Sequence, residues 1–502
     1  MNRFSIILTL GLLLIPGVSK SAFNSSFYKN KSALAEGKWV KIGISETGVY
    51  DISYEELAAM GFSEPAKVAV YGRGGRVLPE NFTTNAGAPT LTDDLAQVPV
   101  LHQGNRLYFY GLGPEEIKFQ GDANSSIKGY FTRVSNNIYT KRGYYFLTDA
   151  TAPKAMSTSS YVSSAAEVKT GVSYCYHELD SVQNNTGSGQ LFWGERVGYP
   201  FSPKRQWDVS MPDVTGEKGM LECALYFSNH EGVSATVSYG LEGAEAFSAP
   251  YKVSGSSYFV PFSSIRGEIG LPGGTEGTVF ASLDTPMMFD QSYVDYWVLS
   301  YPRTMPTPGT FNQQLFALPE ISRNTTGKFT LERAENYVIL DVTNPANPVL
   351  LSKSPQDGGA GAYSIKMSTS SVPVVVVFDT SKQQKQISGF EKNYEQITNQ
   401  NLHGYKDLGA EFVIITTAQF KSYAEEIAQL HRDHDGIEVI VATAEECYNE
   451  FSAGVPDPMA YRSFLRMLYM SERKPKNVLL FGPLHGDSRG IQVEKNPREI
   501  LI

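Results

Sequence analysis

Cysteine is scarce in this chain, with three residues, Cys175, Cys223 and Cys447, among 502. An odd number cannot all pair, and so few crosslinks cannot hold a chain of this length, so disulfides are not what carries the fold. Cys175 and Cys223 fall in β-like stretches of one region, where a bridge or two buried thiols would both fit. Basic blocks are missing as well. With 43 Lys and Arg against 52 Asp and Glu, the net charge of -9 excludes a general nucleic-acid binder. Beyond residue 18 no apolar run reaches the ~20 residues of a membrane-crossing helix, so the chain is read as not membrane-spanning. Disorder is excluded too, because 41% of the residues are hydrophobic and 19% charged.

What is present begins with Asn2-Arg3, the apolar run Phe4 to Val18 and Ser19-Lys20-Ser21-Ala22. A short charged start, an apolar core of this length and small residues after it have the form of a secretory signal over 1–21. The mature chain is therefore expected to be exported and soluble, or held at a surface by a partner. Tyr 29, Phe 27 and Gly 45 suit a β-rich exported chain with many turns. At 502 residues the chain is too long for one core, and several domains are expected.

The alternation in Gly37 to Tyr50, broken at a glycine, predicts a hairpin. Ser53 then caps a short helix, Tyr54 to Met60, closed by Gly61. Strands at Val68 to Tyr71, Arg106 to Tyr110 and Tyr144 to Thr148 complete a β domain over 22–150. Gly72-Arg73-Gly74-Gly75 could cradle a phosphate, but no helix follows it, which favours a tight turn. Ala150 to Ala166, rich in Ser, Thr and Ala, reads as a linker.

A β-sandwich or jelly-roll domain is expected over 167–303, with strands at Met220 to Phe227, Val233 to Tyr239 and Val294 to Leu299. Trp193, Trp207 or Trp297 could offer a carbohydrate platform there, against the commoner role of a strand aromatic in the core. After a second linker at Pro302 to Pro308, a further β-rich unit covers 309–405. The last stretch, 408–502, changes pattern. Continuous apolar runs at Phe412 to Thr416, Ile437 to Ala442 and Val478 to Gly482 alternate with helical spacing at Tyr423 to His431 and from Asp457-Pro458 onward. That predicts a parallel sheet covered on both faces, whose site-bearing edge holds Thr416-Thr417, Thr443 and Gly482 to Asp487.

Candidate chemistry in this stretch starts with Cys447, since a cysteine peptidase needs a thiolate beside a base. His431, His434 and His485 are the available imidazoles. Glu445 and Glu446 adjoin Cys447 and would raise a thiol pKa rather than lower it, which favours a structural cysteine. His485 lies at a strand's carboxyl end, as either a base or a loop residue bordering the site. His431 and His434, three apart at a helix end, could ligate a metal, though no third ligand is evident and Arg432 between them suits a solvated helix end. Asp433, Asp435, Asp457 and Asp487 could serve calcium but show no loop spacing, so no cofactor is assigned.

Phe412 to Thr416, Cys447-Tyr448-Asn449-Glu450-Phe451-Ser452, Asp457 to Leu465 and Val478 to Gly482 resemble the opening of the catalytic domain of gingipain-type cysteine peptidases. Gly37 to Tyr50, Val70 to Gly75, Tyr145 to Thr148, Phe192 to Glu195, Val294 to Trp297, Tyr301 to Arg303, Asp341 to Pro345 and Gln400 to His403 resemble, in order, segments of the sortases within that family. The resemblance runs from about Gly37 to Gly490. It implies a caspase-like α/β domain with a catalytic His and Cys on later strand ends, which would lie beyond Ile502. Where the family usually reads Gly-Asp-Gly-Ser-Tyr-Asp this chain has Pro483 after Gly482. The implied activity is that of a type IX secretion sortase: acyl-enzyme formation at the carboxy-terminal sorting domain of secreted cargo, then transfer to water or a glycolipid amine. Cargo and outer-membrane secretion components are the implied partners, and the implied location is the cell surface or outer membrane, otherwise the periplasm. Without the dyad, a non-catalytic docking protein of the same machinery is the alternative.

Overall fold

The computed structural model describes residues 25–84, 89–180, 182–183, 192–198, 204–227, 234–240, 262–271, 273–284, 291–367, 371–482 and 489. The signal expected over 1–21, together with His485 and Asp487, lies outside the described residues.

In the first unit Trp39–Ile44 and Gly48–Ser53 are strands, but they do not pair with each other. The expected hairpin is instead a corner. Trp39–Ile44 lies between Tyr394–Ile397 and Gly143–Thr148, whereas Gly48–Ser53 joins Arg106–Gly111 in a second sheet. The reason is burial: all six residues of the first strand and five of the second are buried, so each strand needs a neighbour on every side. Val40, Ile42, Ile52, Phe109 and Leu147 fill the space between the two sheets. Ser53 caps Tyr54–Ala59, its side chain accepting from Glu56 N while Glu56 returns a bond to Ser53 N.

Among the described residues a ten-stranded sheet runs through both of the following β units. Its order is Ser157–Ser159, Val349–Leu351, Tyr337–Asp341, Val374–Asp379, Gln313–Ala317, Thr170–Glu178, Gln291–Thr304, Lys218–Phe227 and Phe262–Gly270, with Arg196–Gly198 also on Gln291–Thr304. The two units join where Val172 pairs with Ala317. At one end, Lys204–Ser210, Glu276–Asp284 and Ser234–Tyr239 form a facing sheet, and Val209, Leu221, Val237, Val279, Trp297 and Leu299 make the sandwich core. At the other end, Thr326–Leu331 and Gly361–Lys366 bring Phe329, Tyr363 and Ile365 onto Phe316, Ile339 and Val377.

The final stretch forms a three-stranded parallel sheet, Val439–Thr443, Phe412–Thr416, Asn477–Phe481, with Phe412–Thr416 in the middle. Side chains alternate between the faces as the pleat requires. Phe412 and Ile414 meet Ala424 and Ala428 of helix Lys421–Asp435, while Val413 and Ile415 meet Cys447, Phe451, Phe464 and Leu468. Those last four belong to helices Ala444–Phe451 and Met459–Tyr469. The sequence reading counted two helices and missed Ala444–Phe451. Its start signal was nevertheless present as Thr443-Ala444-Glu445-Glu446, a capping box in which Thr443 Oγ1 accepts from Glu446 N at 3.1 Å and Glu446 accepts from Thr443 N at 2.7 Å.

Candidate functional site

The carboxyl edge of the parallel sheet is built from Thr416, Thr443 and Phe481, which lie in register. Thr416 Oγ1 donates to the Phe481 carbonyl at 2.8 Å, tying the central strand to the edge strand. Thr417 follows, its buried hydroxyl without a hydrogen-bond partner. Asp457, fully buried, accepts from Met459 N at 2.9 Å and from Leu78 N of the first β unit at 3.0 Å. It thus ties the start of helix Met459–Tyr469 to the first β unit and is not a free carboxylate.

Cys447 does not face this edge. It is fully buried in the core between the sheet and its two helices, and burial, reinforced by Glu450 and Glu446, holds its thiol well above the ordinary range. Such surroundings favour the protonated thiol over the thiolate. His431 and His434 lie on helix Lys421–Asp435, which packs on the opposite face of the sheet. Both imidazoles turn to Asp435, Nδ1 of His431 at 2.6 Å and Nδ1 of His434 at 3.0 Å, so the spacing that suggested a metal pair serves a shared carboxylate. Asp433 accepts from Gln429. The structure therefore brings neither His431 nor His434 to Cys447.

The remaining sequence candidates are structural. Trp193 and Trp297 are core residues, and Trp207, half-buried, donates from Nε1 to Glu195 at 3.0 Å, leaving no aromatic platform on these three. Gly74 has φ +80°, and a Cβ there would come within 2.4 Å of the Leu112 carbonyl, so the backbone after strand residue Gly72 packs too closely for a side chain. All three cysteines are free thiols, Cys175 donating to the Ser210 carbonyl. Oxygens of Glu178, Asp180 and Asp295 lie within 4.8 Å of one another, a cluster the sequence did not suggest. Arg133 already pairs with Glu178 and Asp295, and Arg489 with Asp180, so guanidinium groups fill the role a cation would take. A cavity of about 790 Å³ opens where the three β units meet, lined by Glu115, Phe119, Tyr174, Tyr176, Thr343 and Val372, away from the parallel sheet.

The feature that sequence reasoning left unassigned is His403. Its ring is fully buried, with Nδ1 2.5 Å from Glu450 and Nε2 2.9 Å from Asp93, and it stacks on Phe451 with centroids 4.7 Å apart. Burial alone would drive the proton off, but the bonds to Asp93 and Glu450 outweigh it and raise the pKa to about 9. Glu450 also accepts from the backbone of Leu402 and His403 and from Gln400 Nε2. The only sequence signal was position, at the entry to the α/β stretch, because Asp93 is 310 residues away.

Residues 405–499 match the model of peptidase family C25. Dimeric latent PorU from Porphyromonas gingivalis has a similar structure, with a TM-score of 0.79 and 26% identity over 95% of this chain, which spans 44% of that protein. TmCBM61 in complex with beta-1,4-galactotriose aligns at a TM-score of 0.17 with 12% identity, covering 29% of this chain and 99% of that one. The tandem CBM22 domain of Paenibacillus barcinonensis Xyn10C aligns at 0.16 with 10% identity, covering 48% and 93%; neither score indicates a common fold. No curated protein matches the chain by sequence.

Proposed function

We propose that this chain, PorU-like along its described length and caspase-like in its C25 segment, serves a type IX secretion sortase as its substrate-organising part rather than its nucleophile. The observation that supports this reading most directly is the contrast within the α/β segment. A parallel sheet with an ordered carboxyl edge is present, yet the local thiol, Cys447, points into the core with its proton held. In this reading the chain is exported by residues 1–21 and acts at the cell surface. Its partners are cargo proteins with carboxy-terminal sorting domains and outer-membrane secretion components. Bond cleavage would then fall to a Cys and a His on strands other than these three.

The docking alternative draws on a separate observation. Among the described residues strand Asn477–Phe481 pairs on one side only, and Val478 and Leu480 are 44% and 46% exposed. Such an edge invites further strands, supplied in cis or by another chain. To test the reading, the purified chain is treated with a thiol-directed peptidyl probe and assayed on a sorting-domain peptide. The expected result is neither labelling nor turnover. Labelling of Cys447 with turnover, both lost in Cys447→Ala, would place the nucleophile here and overturn the reading.

A further inference from the structure

We propose that His403 is a positioning residue, a charged latch that holds helix Ala444–Phe451, and with it the carboxyl edge of the parallel sheet, on the first β unit. Asp93 comes from that unit and Glu450 from the helix, and among the described residues the imidazolium is the one group bonded to both carboxylates. The rest of the junction has the same character. Lys41, 4% exposed in strand Trp39–Ile44, reaches Glu445 at 2.5 Å and Asn449 at 3.1 Å on the same helix. Arg73 donates to the Phe451 carbonyl at 3.1 Å, where the helix ends. Gln400 Nε2 donates to the Glu446 carbonyl at 2.8 Å.

The consequence for the edge follows from the helix itself. Its cap is Thr443, the last residue of the strand Val439–Thr443 and the register partner of Thr416. Whatever holds the helix therefore holds the edge, at the opposite end of the chain from the unit that grips it. A neutral imidazole would leave Asp93 and Glu450 without their shared cation in a water-free site, which is costly. The ionisable groups facing this point are Asp93, Asp94 and Arg73 from the first unit, Lys29 beside Asp94, and Glu446, Cys447 and Glu450 from the helix, with Asp457 beyond Arg73.

The proton on His403 is held to about pH 9, against an ordinary 6.5. The latch is therefore complete below 6.5 and lost as pH rises through about 9. Amide hydrogen exchange on the full chain reads this without any assay of chemistry, so its outcome is separate from that of the sortase reading. Protection of residues 444–451 is followed from pH 6 to 10, with strand Gln291–Thr304 as internal reference. Wild type is expected to lose about tenfold or more of the protection at 444–451 above pH 8, with the reference unchanged. His403→Gln, which can hydrogen-bond but carries no charge, should show low protection there throughout and no step. A flat wild-type profile overturns the proposal on its own, whether or not the variant folds, and so does a step that persists in His403→Gln.

Discussion

At the scale of single residues, the chain holds several ionisable groups partly or wholly out of water, and burial shifts their titration. Glu115 is the instance with the clearest pH signature. Burial first, and the nearby Glu178 second, raise its carboxyl from 4.5 to about 7. The folded state thus binds this proton more tightly than the unfolded chain does. The resulting stabilisation is full below about 4.5 and disappears as pH rises through about 7. Glu115→Gln should accordingly raise stability by about 1–3 kcal/mol at pH 8 and change little at pH 4. Urea denaturation of both proteins at the two pH values checks this, and an equal shift at both would assign the effect to packing instead. Cys447 follows the same rule of burial, with carboxylates rather than a cation nearby, which is why it reads as part of the core.

At the scale of elements, short helices depend on their ends. Ala444–Phe451 has eight residues, fewer than an isolated helix needs to form in water, so its capping box and its tertiary contacts must supply the stability. Thr443→Ala removes the hydroxyl that accepts from Glu446 N and should cost about 1 kcal/mol. The change should also speed amide exchange in 444–451 while leaving helix Lys421–Asp435, on the other face of the sheet, unaffected. Exchange that rises equally in both helices would mean that the cap is not local. The missed helix was legible in principle, because the Thr-x-x-Glu signature stood next to a strand end. The corner between Trp39–Ile44 and Gly48–Ser53 was not, because an alternating pattern with a central glycine specifies two strands and a turn but not which strands they pair with.

At the scale of the whole molecule, the β units are joined by more than linkers. Ser157–Ser159, inside the stretch expected to be a linker, pairs with Val349–Leu351, and Val162 N donates to Ser364 Oγ. The expected boundary at Pro302 falls within strand Gln291–Thr304, where Arg303 is 1% exposed and paired with Asp213 at 2.6 Å. Tyr394–Ile397, far along the chain, supplies an edge strand to the first unit. Limited proteolysis should therefore nick the exposed residues near 150–154 before 302–304, and the nicked pieces should co-elute on gel filtration until denatured. Early cleavage at 302–304, or separation of the pieces under native conditions, would count against this account.

Much was legible in the sequence because it is local. Alternation marked the β units, and continuous apolar runs between helical patterns marked the parallel sheet. Local pattern also identified the start of helix Met459–Tyr469. What only the tertiary structure decided is which distant segments meet. Neither Asp93 nor Glu450 carries any mark of its pairing with His403, since a buried ion pair is defined by the water it excludes and not by spacing along the chain. The same holds for Lys41 on Glu445, and for the single pair, Val172 with Ala317, that merges two β units into one sheet. Periodicity determines which face of an element is buried; the partner that buries it is chosen by packing across the whole chain.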